Sequence, residues 1–185
     1  ASLQVLDQLD HSVSRRGAHV AYLGAGEHPV RMRILGPEAL GPGREGSVRL
    51  FLPRSLPLLP GDRFVLRESG RSETVGGGCV LDVDPRERAS RARPDRSVDR
   101  VVRERGWVSS DELERLTGER REPDVGQWVV DPEALQTTLA GLREALDESG
   151  PLGVELSSLD DYQRAAAVLL DEATVDGGRL RVTDA

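Results

Sequence analysis

Gly61-Asp62-Arg63-Phe64-Val65-Leu66-Arg67-Glu68-Ser69-Gly70-Arg71, continuing through Ser72-Glu73-Thr74-Val75 into Gly76-Gly77-Gly78-Cys79-Val80, is the stretch on which the fold turns. It opens on the turn signal Pro60-Gly61-Asp62 and passes through a short apolar run at residues 63–67. A polar tip with two arginines and a glycine follows, and a second apolar run occupies residues 79–83. Upstream, residues 28–34 set Val30, Met32 and Ile34 against Arg31 and Arg33, the period-two alternation of a half-buried strand. Residues 48–52 repeat it with Val48, Leu50 and Leu52, and residues 3–9 and 19–23 bring the total to about six strands. Arg16-Gly17, Gly24-Ala25-Gly26, Gly41-Pro42-Gly43 and Gly70 punctuate them, with no helical stretch between. Short antiparallel strands at this spacing predict a closed barrel or a sandwich over residues 1–84.

Past the barrel, residues 84–94 are charged, flanked by Pro85 and Pro94, and nearly free of large apolar side chains, so a linker is expected at 85–95. The remainder reads as mainly helical. Val98, Val101 and Val102 share a face, and Gly106 stops that helix. Ser109 and Glu112 stand at capping-box spacing, with Gly118 at the helix end. Residues 127–130 form a short strand. Asp131-Pro132 then caps a long helix with Leu135, Leu139, Leu142 and Leu146 on one face, ended by Gly150-Pro151. A shorter helix over 158–171 leads to residues 173–175 and 179–182 across Asp176-Gly177-Gly178, a hairpin signal. A helix followed by a terminal hairpin is the pattern of a winged helix. Two such units are expected, at 96–150 and 151–185.

Composition narrows the chemistry. All 25 basic residues are arginine, so no Walker A or Schiff-base lysine exists in these 185 residues. A single cysteine, Cys79, excludes an internal disulfide and a multi-cysteine zinc site, and points to the cytoplasm. No apolar run approaches the roughly 20 residues needed to cross a bilayer, and the first residues lack the pattern of a signal peptide. With no initiator methionine, the chain reads as cut at a domain border. Residues 1–100 hold 16 arginines against 13 acids, +3, whereas residues 101–185 hold 9 against 19, −10. Phosphate binding needs clustered cations, which places any nucleic-acid contact in the first half.

Gly76-Gly77-Gly78 lacks the following helix of a phosphate cradle and reads as a close backbone approach or a bulge. Asp10-His11-Ser12 has a triad's residues without a triad's spatial assembly, so His11 reads as a loop residue. His19 and His28 lack acids or cysteines at ligand spacing, and no metal is expected. The tip Arg67-Glu68-Ser69-Gly70-Arg71 holds two guanidinium forks that suit phosphate oxygens, while a merely solvated hairpin end stays open.

The stretch 61–80 resembles the third domain of translational GTPases of the EF-Tu type. The triple glycine running into Val80-Leu81-Asp82 is more like the selenocysteine-specific elongation factor family, SelB. Residues 10–17, 26–31, 93–98 and 126–132 are similar to that family too. The resemblance implies a six-stranded antiparallel β-barrel followed by a mainly α winged-helix region. It also implies that the barrel binds the acceptor and T-stem backbone of selenocysteyl-tRNA. The tRNA contacts it implies are Arg67, Glu68, Ser69, Gly70 and Arg71, with His28 on a nearby strand. Ser72-Glu73 is an insertion relative to the shorter EF-Tu form. In the family, GTP and Mg belong to a G domain absent from this chain; the chain itself is expected to carry no catalytic residue, metal or cofactor. The ribosome and an mRNA hairpin are partners through the full-length protein, with no membrane and a monomeric state expected. Residues 119–126, where a recognition helix would lie, contain Pro123 and mixed charge, so the winged helices are expected to act as a spacer. A protein–protein adaptor and a DNA-binding regulator are the rival readings.

Overall fold

The computed structural model describes residues 1–183. Eight strands come first in chain order: β1 (Ser2–Val5), β2 (Val13–Ser14), β3 (His19–Leu23), β4 (Gly26–Leu35), β5 (Ala39–Leu40), β6 (Glu45–Phe51), β7 (Arg63–Glu68) and β8 (Glu73–Cys79). Six of them close an antiparallel barrel in the order β1-β6-β4-β3-β7-β8, while β2 and β5 pair separately, so the expected six-stranded barrel is present. Alternation does what the sequence predicts. His28, Val30, Met32 and Ile34 of β4 face inward, and Arg31 and Arg33 face solvent. Leu3, Val5, Val48, Leu66 and Val75 pack at the centre, each no more than 1% exposed.

One strand differs from expectation. The last barrel strand is Glu73–Cys79, whereas residues 79–83 were expected to form it. The three glycines therefore lie inside the strand. A Cβ on Gly76 would stand 2.3 Å from the Gln4 carbonyl oxygen, one on Gly78 only 1.9 Å from that of Ser2, and one on Gly77 2.9 Å from that of Phe64. Glycine is depleted in strands in general, but here only its missing side chain lets β1 and β7 approach β8 closely enough to shut the barrel. A bulge between Leu66 and Arg67 shifts the β7–β8 register beside this seam.

Residues 85–95 pack with the barrel. Arg49 donates to the Glu87 carbonyl at 2.7 Å, the Ala92 amide closes a turn onto Arg88, and Ala92 is buried. The chain divides into two compact units, Ala1–Val98 with Arg115–Gly118, and Asp99–Glu114 with the residues from Glu119 onward.

The second region carries α1 (Val98–Arg105), β9 (Trp107–Ser109), α2 (Ser110–Thr117), β10 (Trp128–Val130), α3 (Pro132–Ser149), β11 (Val154–Glu155), α4 (Asp161–Ala167), β12 (Ala173–Asp176) and β13 (Arg179–Val182). Gly106, at φ 74°, ends α1 as its spacing predicts. Asp131 caps α3 by accepting from the Glu133 and Ala134 amides, and Leu139, Leu142 and Leu146 are its buried face. Gly177 and Gly178, at φ 54° and 77°, supply the two positive dihedrals of a tight β12–β13 turn. Trp107, Val130, Leu142, Leu146, Ala166 and Leu180 belong to one buried cluster, which runs across the 150/151 border expected between two winged-helix units. Asp184 and Ala185, the end of the second expected unit, lie outside the described residues. No described helix is long and apolar enough to cross a membrane.

Candidate nucleic-acid interface

The β7–β8 hairpin projects the tip that the sequence singled out. Its ends are held by local bonds. The Ser69 amide donates to the Ala18 carbonyl at 2.7 Å, the Ser72 amide to the Ser69 carbonyl at 3.2 Å, and Arg67 Nη2 to the Ser72 carbonyl at 2.9 Å. Gly70 was expected to turn the chain, yet Ser72 takes the positive dihedral, φ 55°, the only non-glycine to do so among the described residues. The bond from Arg67 to its carbonyl holds Ser72 in this sparsely populated region.

The predicted residues part into three positions. Ser69, Gly70 and Arg71 are exposed at the tip, and Arg71 forms no hydrogen bond or ion pair among the described residues. Arg67 and Glu68 are half-buried, Arg67 bracing the turn and Glu68 facing inward. His28 is 5% exposed on the inner face of β4, with Nε2 2.7 Å from where a Gly26 Cβ would stand. The structure thus brings the tip residues together and leaves His28 inside the barrel, away from them.

Two features were missed. Arg15, Arg16 and Arg33, with Glu38, line a concave pocket of about 410 Å³ between the loop after β2 and the end of β4. The adjacent arginines before Gly17 were the available signal. The second is His11, read as a loop residue. Its Nδ1 lies 3.0 Å from Asp10 Oδ1, and its Nε2 lies 3.3 Å from Glu68 Oε2 and 3.5 Å from Glu73 Oε1. The hydrogen bond to Asp10 raises the His11 pKa, with Glu68 and Glu73 adding to it while burial and Arg71 oppose. The same bond holds the Asp10 carboxyl below its ordinary range. His19, by contrast, is 3% exposed, and burial pushes its pKa down despite nearby Glu68 and a backbone hydrogen bond at Gly17.

Residues 5–87 match the family model of the β-barrel domain of selenocysteine-specific elongation factor. A crystal structure of a bacterial selenocysteine-specific elongation factor, EF-Sec, aligns with 99% of this chain at a TM-score of 0.66 and 12% identity. At that identity the likeness is one of fold. The chain spans 34% of the length of that structure. A search of curated proteins finds no match.

Proposed function

We propose, from the place of residues 5–87 in the SelB β-barrel domain family, that this chain is the tRNA-holding portion of a selenocysteine-specific elongation factor. The barrel binds the acceptor and T-stem backbone of selenocysteyl-tRNA without doing chemistry on it. Arg71 at the tip supplies a guanidinium to a phosphate, Ser69 and Gly70 offer backbone and hydroxyl contacts, and Arg67 and Glu68 hold the turn. Arg15, Arg16 and Arg33 extend the cationic surface along the barrel. The observation that carries this reading is the exposed Arg71, without a hydrogen bond or ion pair among the described residues, on a turn braced from both strands.

Residues 99–183 act as a spacer toward the mRNA-reading end of the longer protein, in a winged-helix arrangement. Two features support that role. The −10 balance of residues 101–185 repels a phosphate backbone, and residues 119–126, where a groove-reading helix would lie, carry no helix. GTP and Mg, the ribosome and the mRNA hairpin are reached through other domains of the family protein, in the cytoplasm. No catalytic residue is assigned to this chain.

The test is fluorescence-anisotropy titration of selenocysteine tRNA with the 185-residue chain across a salt series. Arg71→Ala is expected to weaken binding several-fold and to flatten the slope of log K against log salt by about 0.7–0.9, one phosphate contact. Arg143→Ala, which breaks an ion pair with Glu172 in the acidic region, leaves both unchanged. A wild-type slope identical to that of Arg71→Ala removes the tRNA role and favours a protein–protein adaptor.

A further inference from the structure

We propose that His11, Glu68 and Glu73 form a binding site for a divalent cation of the zinc type, at the base of the β7–β8 tip. The three residues come from two places in the chain, the loop after β1 and the facing ends of β7 and β8, and their ligand atoms lie within 4.8 Å of one another. The separations suit coordination. Zinc bonds of about 2.0–2.2 Å to nitrogen and oxygen, arranged tetrahedrally, put ligand atoms about 3.3–3.6 Å apart. His11 Nε2 stands 3.3 Å from Glu68 Oε2 and 3.5 Å from Glu73 Oε1.

The surroundings are those of a metal ligand. Asp10 engages the other ring nitrogen of His11 at 3.0 Å, the carboxylate–imidazole arrangement that orients a ligating histidine, and turns Nε2 toward Glu68 and Glu73. The His11 side chain is 15% exposed and that of Glu68 18%, so the ligands are partly withdrawn from water, with Glu73 on the open side. Three carboxyl groups, those of Asp10, Glu68 and Glu73, surround His11, and Arg71 is a guanidinium nearby.

A second histidine neighbours Glu68. His19, opposite Glu68 in the β3–β7 register, is 3% exposed, with Glu68 and the Gly17 backbone as its polar neighbours. A Cβ built on Gly17 would stand 2.9 Å from His19 Nε2 and 3.1 Å from Glu68 Oε1, so imidazole and carboxylate face one small gap that any larger residue at 17 would fill.

Bound there, the ion ties the loop after β1 to the hairpin that presents Ser69, Gly70 and Arg71, and it neutralises the carboxylates below them. The site is independent of the tRNA reading, since its assay contains no RNA. The 185-residue chain, stripped with chelator, is titrated with Zn²⁺ in a calorimeter and with Co²⁺ by visible absorption. One ion per chain is expected to bind, with the cobalt bands of a four-coordinate nitrogen–oxygen site. Glu68→Gln/Glu73→Gln, checked for an intact fold by circular dichroism, loses binding, and Glu45→Gln on the exposed barrel surface keeps it. Asp10→Asn weakens affinity about 10- to 100-fold. Failure of the wild-type chain to bind zinc overturns the proposal, leaving His11 as an imidazolium bridging two carboxylates. Equal binding by the double variant, or equal loss in Glu45→Gln, overturns it as well; an unchanged Asp10→Asn removes Asp10 from the site.

Discussion

A methyl group on Gly78 would stand 1.9 Å from the Ser2 carbonyl oxygen, a backbone atom that cannot turn aside. Gly78→Ala is therefore expected to destabilise the barrel by about 1–3 kcal/mol, the usual cost of overpacking. Gly70→Ala, with nothing within 4 Å of its Cβ, should fall within about 0.5 kcal/mol of wild type. Urea unfolding followed by far-UV circular dichroism distinguishes the two. The triple glycine was legible as a close approach because no helix follows it. The turn at the tip was not. Gly70 is the obvious candidate for a positive dihedral, yet Ser72 adopts it, because the Arg67 side chain reaches its carbonyl. His11 was invisible for a related reason. Its partners Glu68 and Glu73 are remote in sequence, and an Asp-His-Ser run carries no sign of them.

At the scale of elements, caps and periodicity were the readable signals. α4 opens with a capping box in which Asp160 accepts from the Gln163 amide and the Gln163 side chain accepts from the Asp160 amide. Asp160→Ala is expected to lower stability by about 1 kcal/mol. Tryptophan fluorescence suits the measurement, because Tyr162 in the first turn of α4 stacks on Trp107 at 5.5 Å and meets Trp128 edge-on at 4.8 Å. The helix expected over 158–171 runs only from Asp161 to Ala167. Leu156–Ser158 forms a separate 3₁₀ turn, and Leu169 and Leu170 donate to Ala166 and Ala167 in tighter turns that end the α-helical ladder. The leucine face of α3 and the Gly177-Gly178 hairpin needed no such revision, since each rests on spacing within one element.

Over the whole molecule, two separate clusters of buried residues predict two unfolding events. Trp107 and Trp128, the only tryptophans, both pack in the second cluster, while most of the strand content lies in the barrel. Urea transitions followed by tryptophan fluorescence and by far-UV circular dichroism are expected not to coincide. A single superimposable curve would mean that the two cores unfold as one. By itself the sequence determined where strands and helices run, which faces they bury, and how charge divides between the halves, because these follow from local periodicity, turn chemistry and composition. Only the tertiary structure decided that β8 is the glycine strand, that His28 is an interior residue, and that His11 meets Glu68 across 57 positions of chain. Such encounters depend on the order in which strands close a barrel and on their register, and no short stretch of residues encodes either.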